Sequence, residues 1–305
     1  MGFSNYVYMN TVDAFENDIR LELDFLECFT PQKKIATNAV FCGSGDSLCA
    51  AMLAESFSDY GVRACDPLEF TKNPNLGSKK HAYFVSISGN TLSNIRAARL
   101  AKSSTAITKN PNSKLAKTCR NSIILNYSDS KVLTAGSVGF LANALTCISL
   151  IFSFRISNAK KLYQSAIMQT KKIKPKNMIY FLGNQYTYPI AIYASAKLGE
   201  VLGMDSHYER IEQFSHMGLF SAKKGDTVII LEQKNTHNSA LVKHLVKLGL
   251  HVYNPTISGS KINQVLFYIF VSQMLALNLA RQKRIKECYF VSQKKTRAAS
   301  SAMIY

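Results

Sequence analysis

The 305-residue sequence lacks the cysteine and histidine spacings that hold metal ions. Its seven cysteines are scattered, odd in number and free of any Cys-x-x-Cys pair, and its six histidines form no cluster along the chain. Most of the cysteines lie in apolar segments, as expected of buried thiols in a reducing compartment. We therefore expect no metal ion and no other cofactor.

Long apolar runs are also missing. No run reaches the roughly 18 to 20 residues that span a bilayer. The longest candidate, residues 141–154, is interrupted by Asn143, Thr146 and Ser149, which is typical of a buried helix. Residues 1–10 lack the basic start and apolar centre of a signal peptide. These absences predict a cytoplasmic protein that does not enter a membrane.

Acidic residues are few, because 19 Asp and Glu stand against 37 Lys and Arg, a formal net charge of +18. Such a basic surface attracts phosphate groups, including those of nucleic acids. The basic residues are spread thinly, however, in doublets such as Lys79-Lys80 and Lys294-Lys295, and no recognition motif or aromatic stacking platform accompanies them. We therefore expect a small phosphorylated ligand and no nucleic acid.

Apolar, β-prone segments alternate with helical patterns along the chain. The predicted strands cover residues 38–42, 61–64, 104–108, 122–125, 177–182, 226–231 and 250–253, with a further strand that begins at residue 83. The predicted helices cover residues 10–29, 48–58, 92–102, 113–119, 137–154, 158–172, 188–202, 235–248 and 261–279. This alternation predicts an α/β fold with parallel sheets covered on both faces.

The alternation starts again after residue 157. At 305 residues the chain has room for two domains of about 150 residues each. We therefore predict two α/β domains, residues 1–157 and 158–305. No Gly/Ser-rich linker joins them, so we expect them to pack together.

Two polar loops that contain glycine follow predicted strands. Ser86-Ile87-Ser88-Gly89-Asn90-Thr91 lies between a strand and a helix, and Gly43-Ser44-Gly45-Asp46-Ser47 has the same position in the preceding unit. Unpaired N–H groups at a helix start, together with hydroxyl side chains, suit a phosphate. Ligands of parallel sheets gather at the carboxyl ends of the strands, where both loops lie. Taken alone, each loop is explained as well by a helix cap and a turn.

Together, these loops resemble the phosphate-binding loops of sugar isomerase (SIS) domains. In the second half, Tyr188-Pro189 and Lys197-Leu198-x-Glu200, followed by Glu209, Phe214 and His216, are similar to the isomerase half of glucosamine-6-phosphate synthase in order and spacing. The resemblance covers nearly the whole chain. It implies two tandem SIS domains, each a parallel sheet flanked by helices on both faces.

The resemblance also implies roles for the matching residues. The residues that would bind the substrate phosphate are Ser86, Ser88, Thr91, Ser44 and Ser47. Glu200 would move a proton between C1 and C2 of an open-chain sugar, and His216 would help to open the ring, reaching a site in the neighbouring subunit. We therefore expect a homodimer or a higher homo-oligomer with sites at the interface.

The chemistry expected of Glu200 is reasonable without the family, because proton transfer beside a carbonyl needs one base close to carbon. A partly buried carboxylate gains the basicity required. From the residues alone, however, Glu200 is more readily a solvated helix residue, and His216 is as readily a structural residue as a catalyst. Their place in the matching segment is what assigns them to a site.

Three departures from the synthase are visible. Ile87 stands where the synthase has a polar residue in its phosphate loop. The position of the C-terminal lysine that takes part in ring opening holds Ser300, which leaves Lys294, Lys295 or Arg297 as replacements. The Thr-Arg…Tyr ending resembles instead that of fructosamine-6-phosphate deglycases.

The sequence predicts a sugar-phosphate aldose–ketose isomerase that acts on a phosphorylated hexose or amino-hexose. An amino-sugar-phosphate deaminase or a fructosamine-6-phosphate deglycase stays open, because all three need the same phosphate loop and proton shuttle. Since no glutaminase domain precedes the sugar-binding half, glutamine-dependent synthesis is not expected. A non-catalytic sugar-phosphate sensor needs neither Glu200 nor His216 and usually carries a DNA-binding segment, for which we find no helix-turn-helix pattern.

Overall fold

The computed structural model describes residues 9–33 and 36–305. Most of the segment inspected for a signal peptide, residues 1–8, lies outside this range. The strands of the first half are β1 (Ala39–Gly43), β2 (Arg63–Cys65), β3 (His81–Val85), β4 (Ser104–Thr108) and β5 (Asn121–Ile124). They form one sheet in the order β2-β1-β3-β4-β5, and all neighbouring strands are parallel.

The second half forms a separate parallel sheet. Its strands are β6 (Ile179–Gly183), β7 (His207–Arg210), β8 (Thr227–Ile230) and β9 (His251–Tyr253), in the order β7-β6-β8-β9. All predicted strands are present. Strand β7 was missed because it is an edge strand whose residues are mostly exposed, so its sequence carries no apolar signal.

Helices cover the faces of both sheets. Those of the first half are α1 (Thr11–Cys28), α2 (Asp46–Phe57), α3 (Pro67–Lys72), α4 (Leu92–Leu100), α5 (Lys114–Thr118) and α6 (Val138–Ser149). Those of the second half are α7 (Ala159–Thr170), α8 (Tyr188–Leu202), α9 (Ile211–His216), α10 (Thr236–Lys247), α11 (Lys261–Gln282), α12 (Tyr289–Ser292) and α13 (Lys294–Ile304). The α/β class with parallel sheets flanked by helices is therefore confirmed.

One hydrophobic cluster extends from the first sheet to the second. Phe41 of β1 and Phe181 of β6 both belong to it, together with apolar residues of the helices between them. Because successive strand residues point to opposite faces, Phe84 and Val228 belong to smaller clusters on the outer faces of the two sheets. The two sheets thus share a central core.

Helix α11 corrects the expectation that no segment has the length and composition of a membrane span. Its 22 residues include an 18-residue window with a mean hydropathy of 1.4, but 83% of that window is buried inside the protein. A helix that is apolar on all sides is also found in the core of large folded proteins. A single helix of this kind is therefore weak evidence for a membrane span.

The strand order of the first sheet places a crevice between β1 and β3. In an order of the type 2-1-3-4-5, the connections from these two neighbouring strands depart to opposite faces, and ligands bind beside the carboxyl ends at that point. Gly43 and Val85 end the two strands in parallel register. The two serine loops follow them directly.

Candidate functional site

The loop after β1 approaches helix α2 closely. A Cβ atom at Gly43 would lie 2.7 Å from the carbonyl oxygen of Ser47, so this position needs glycine. Gly45 has φ = +55°, which favours glycine, and it precedes the first residue of α2, Asp46. This geometry brings the Ser44 and Ser47 side chains and the N-terminus of α2 to the carboxyl edge of the sheet.

The loop after β3 is held by its own hydroxyl groups. Ser86, which is 5% exposed, accepts a hydrogen bond from the backbone N–H of Gly89, and its Oγ lies 3.3 Å from Oγ1 of Thr91. Ser88 Oγ accepts from the backbone N–H of Asn90. Thr91 is the N-cap of α4, but its side chain makes no capping hydrogen bond. Its hydroxyl is therefore not used to cap the helix.

The two loops enclose a cavity of about 440 Å³. All five predicted phosphate-binding residues line it: Ser44, Ser47, Ser86, Ser88 and Thr91. The other lining residues are Gly45, Asp46, Ile87, Ser93, Met303, Ile304 and Tyr305. The structure thus brings together two loops about 40 residues apart in the sequence.

Glu200 is connected to this cavity through Lys197. The Nζ atom of Lys197 lies 2.5 Å from Oε2 of Glu200 and 2.8 Å from Oδ2 of Asp46, which lines the cavity. The Lys197 side chain is fully buried, whereas those of Glu200 and Asp46 are 36% and 21% exposed. A buried cation therefore holds two partly exposed carboxylates, one from each half of the chain.

The charges of this cluster influence one another. Burial raises the pKa of Glu200 above its usual range, the charge of Lys197 opposes this rise, and the charge of Asp46 adds to it. Burial lowers the pKa of Lys197, but Asp46 and Glu200 outweigh that effect and keep its pKa above its usual range. Lys197 is therefore an ammonium ion at neutral pH, beside a carboxylate that is more basic than usual.

The segment before α6 closes the cluster on another side. The nearby backbone of Gly136 lowers the pKa of Glu200 and opposes the effect of burial. A Cβ atom at Gly136 would lie 2.5 Å from Oδ2 of Asp46 and 3.6 Å from Nζ of Lys197. Only glycine allows the backbone to come this close to both side chains.

No protein-family model matches the chain, and no curated protein matches its sequence. Solved structures do match it. Glucosamine-6-phosphate deaminase from Thermotoga maritima aligns with a TM-score of 0.75 and 20% identity, over 90% of this chain and 95% of that one. The chain has the fold of phosphosugar proteins of the SIS type.

Two further structures agree with this fold. The C-terminal domain of glucosamine-fructose-6-phosphate aminotransferase from Francisella tularensis aligns with a TM-score of 0.70 and 13% identity, over 92% of this chain and 98% of that one. Tagatose-6-phosphate ketose/aldose isomerase from Escherichia coli aligns with a TM-score of 0.66 and 15% identity, over 89% and 88%. The resemblance read from the motifs is thus confirmed as a likeness of fold, which by itself does not determine the reaction.

In this SIS-type fold, His216 is the last residue of α9 and is not one of the residues that line the cavity. Its side chain is 69% exposed, and its Nε2 lies 3.2 Å from Oε1 of Glu212 on the same helix. Within a single chain, the structure does not bring His216 and Glu200 together through any hydrogen bond or ion pair of the described residues. Met217 and Phe220, which follow His216, are 62% and 86% exposed.

The C-terminal helix α13 reaches the cavity by its last residues. Met303, Ile304 and Tyr305 line the cavity, although each is more than a third exposed. Lys294, Lys295 and Arg297, the expected replacements for the missing lysine, lie at the other end of α13 and do not line it.

Lys197 and Asp46 both lie in the sequence motifs described above, but the motifs assigned a role to neither residue. Lys197 precedes Glu200 by three residues on a predicted helix, so the two share a face, and this spacing was a usable signal. Asp46 is separated from Lys197 by 151 residues, and no local pattern links them. Among residues 9–33 and 36–305, no group of three or more His, Cys, Asp or Glu side chains is arranged to hold a metal ion.

Proposed function

We propose that the chain is a sugar-phosphate aldose–ketose isomerase that moves a proton between C1 and C2 of an open-chain phosphorylated hexose or amino-hexose. One observation carries this proposal. The base candidate Glu200 is joined through Lys197 to Asp46, which lines the same cavity as the two serine loops. A phosphate site and a proton-transfer site are therefore adjacent.

The phosphate of the sugar binds at the two serine loops. Hydroxyl groups of Ser44, Ser47, Ser86, Ser88 and Thr91 donate to its oxygens, since all five line the cavity. The starts of α2 and α4 add the positive ends of two helix dipoles. The net charge of +18 attracts the phosphorylated ligand to the protein.

Glu200 takes a proton from C2 of the aldose and returns it to C1, while the hydroxyl proton of O2 passes to O1, so that the carbonyl group moves from C1 to C2. The raised pKa of Glu200 makes it a stronger base, and a positioned base of this kind contributes about a hundred- to ten-thousandfold in rate. The Lys197 ammonium stabilises the negative charge that develops on the substrate oxygen. Asp46 keeps Lys197 charged and in place.

His216 opens the sugar ring in the site of a neighbouring subunit. This part of the proposal is supported by the exposure of His216 and by the adjacent exposed side chains of Met217 and Phe220. Exposed apolar side chains of this kind favour a subunit interface. We further propose a homodimer of two tandem SIS domains per chain, residues 1–157 and 158–305, that works in the cytoplasm.

The test is proton NMR of the purified protein in heavy water with fructose 6-phosphate, glucosamine 6-phosphate and a fructosamine 6-phosphate. We expect deuterium at C1 or C2 and an aldose or ketose product without release of amine. Glu200→Gln should abolish exchange while ligand binding persists. Glu55→Gln is the matched control and should exchange normally. Glu55 is a partly buried glutamate of α2, away from Glu200 in the chain, and it accepts a hydrogen bond from the backbone N–H of Ala64.

Other outcomes distinguish the alternatives. Release of amine would indicate an amino-sugar-phosphate deaminase or a fructosamine-6-phosphate deglycase, which use the same phosphate loops and proton shuttle. The shared fold of glucosamine-6-phosphate deaminase favours the deaminase as the second candidate. Binding without exchange in the unaltered protein would indicate a non-catalytic sensor.

A further inference from the structure

A chain of buried hydrogen bonds runs from helix α1 to helix α8. Gln273 of α11 donates from Nε2 to Oε1 of Glu22 at 2.6 Å, and the same nitrogen lies 3.0 Å from the hydroxyl oxygen of Tyr193. Tyr193 and Gln273 are 0% exposed, and so is Glu22. Three polar side chains from distant parts of the sequence therefore meet inside the shared core.

The chain continues from Tyr193 to the Glu200 cluster. The hydroxyl group of Tyr193 donates to the backbone carbonyl of Gly136 at 2.7 Å. Gly136 in turn lies against the cluster, because a Cβ atom there would be 2.5 Å from Oδ2 of Asp46 and 3.6 Å from Nζ of Lys197. The path thus links Glu22, Gln273, Tyr193 and Gly136 to the ion pair that holds Glu200, and it passes between the two halves of the chain.

The aromatic ring of Tyr193 is fixed as firmly as its hydroxyl group. It stacks on the ring of Phe140, with centroids 3.8 Å apart and an angle of 15° between the planes. The Lys197 Nζ atom lies 4.9 Å from the centre of the Tyr193 ring. Tyr193 therefore contacts Lys197 with its ring, and its hydroxyl group holds Gly136 beside the same lysine.

The network has spare hydrogen-bonding capacity at its buried end. Within the described part of the chain, neither Oε2 of Glu22 nor Oε1 of Gln273 has a partner. Burial raises the pKa of Glu22 well above its usual range, because an unpaired charge in the core is costly.

We infer that Glu22, Gln273 and Tyr193 are positioning residues for the proton-transfer site, because together they hold the Gly136 backbone and the Tyr193 ring against Lys197, which is paired with Glu200. This inference rests on the proposed role of Glu200 as the base. Its physical reason is that a reacting group is held in a productive geometry by surrounding hydrogen bonds, and that such bonds are strong in a buried environment. A small displacement of the reacting group lowers the rate considerably.

Tyr193→Phe is the direct test, because it removes the bond to Gly136 and keeps the aromatic ring. Tyr268→Phe is the matched control, since Tyr268 is also 0% exposed and its hydroxyl has no described partner. We expect Tyr193→Phe to lower kcat by about ten- to a hundredfold with little change in KM, and Tyr268→Phe to change neither. Thermal melting of each variant establishes that it is folded.

The pH profile adds a readout that a merely structural role would not change. The groups that face Glu200 are Lys197 and Tyr193 of its own helix, and Asp46 and Cys49 of α2. A less firmly held Lys197 stabilises the carboxylate of Glu200 less, so the pKa of Glu200 rises. The acid limb of kcat/KM should therefore move to higher pH in Tyr193→Phe and stay in place in Tyr268→Phe.

Position 22 provides a second, independent pair of variants. Glu22→Leu removes the oxygen that accepts from Gln273 and should reproduce the loss of kcat. Glu22→Gln keeps an oxygen acceptor at the same position and should retain most of the original kcat. If Tyr193→Phe does not fold, Gln273→Met replaces that variant in the test. Gln273→Met keeps a similar side-chain volume and breaks both hydrogen bonds of Gln273. Unchanged kcat and an unchanged acid limb in a folded network variant would overturn the inference.

An infrared titration separates this inference from the proposed function. The carboxyl band of Glu200 is identified by its loss in Glu200→Gln, and its midpoint is followed with pH in the unaltered protein and in Tyr193→Phe. We expect a higher midpoint in the variant whether or not the protein turns over a sugar phosphate. Equal midpoints would refute the positioning role, while absence of isotope exchange with a shifted midpoint would refute only the isomerase assignment.

Discussion

Lys197 and Glu200 lie one turn apart on α8, with Nζ of the lysine 2.5 Å from Oε2 of the glutamate. The lysine side chain is fully buried, and its second partner is Asp46 from the other half of the chain. This pair connects Glu200, the proposed base, to the cavity that the two serine loops line. It also makes the stability of the fold depend on the residues of the site.

Replacement of Lys197 should destabilise the protein. Lys197→Met removes the buried cation and leaves Asp46 and Glu200 as neighbouring carboxylates, which should lower the free energy of unfolding by about 3 kcal/mol. Lys160→Met is the control, since Lys160 and its partner Glu27 are mostly exposed, and it should lower the free energy of unfolding far less. Urea unfolding measures both values. Equal values would show that the buried ion pair does not contribute to stability.

The acid limb of the pH profile should move when Asp46 is neutralised. The base must be deprotonated, so activity falls as the pH drops through the raised pKa of Glu200. The negative charge of Asp46 contributes to that rise, and Asp46→Asn should therefore shift the acid limb of kcat/KM to lower pH. Asp205→Asn, at an exposed position outside the cluster, should leave it unchanged. A shift to higher pH in Asp46→Asn would contradict the assignment of the limb to Glu200.

The phosphate loops should bind inorganic phosphate. We expect phosphate to raise the melting temperature of the unaltered protein, because it binds the folded state. Ser88→Ala removes one hydroxyl group of the cavity and should weaken binding by about tenfold, which corresponds to about 1.4 kcal/mol for a hydrogen bond to a charged group. Ser78→Ala, an exposed serine outside the cavity, is the control. The same thermal shift in both variants would argue against the phosphate assignment.

Removal of the last three residues should affect ligand binding more than stability. Met303, Ile304 and Tyr305 line the cavity, but no residue of α13 is buried. A chain that ends at Ala302 should unfold within about 0.5 kcal/mol of the full chain. Its affinity for a sugar phosphate, measured by calorimetry, should fall by about tenfold. Lys294→Ala and Arg297→Ala should retain full affinity. A comparable loss of affinity in either variant would indicate that the substituted residue replaces the C-terminal lysine of the synthase.

The surface beside His216 should be a subunit interface. Phe220 is 86% exposed, and Phe220→Asp should convert the proposed homodimer to a monomer, as measured by size-exclusion chromatography with light scattering. Leu68 is 62% exposed on α3, and Leu68→Asp is the control that should remain dimeric. A monomeric unaltered protein would remove the support for His216 acting in a neighbouring site.

Much of the fold follows from local patterns in the sequence. The apolar strand segments and helical periodicities predicted every strand except β7, and the longer helices except α13 within a few residues of their ends. These patterns were sufficient because a buried parallel strand and an amphipathic helix each need a characteristic spacing of apolar residues. The edge strand β7 and the short helices α3, α9 and α12 bury few side chains, so that signal is weak in their sequences.

Local patterns were enough to predict the α/β class and the position of the two serine loops after strands, because short runs of neighbouring residues carry both signals. The tertiary structure alone revealed that Asp46 meets Lys197 and that Gly136 approaches both side chains. It also decided that His216 lies on an exposed surface and that the last three residues reach the cavity. These contacts depend on how the two sheets pack around a shared core, and packing between residues 151 positions apart leaves no trace in a local pattern.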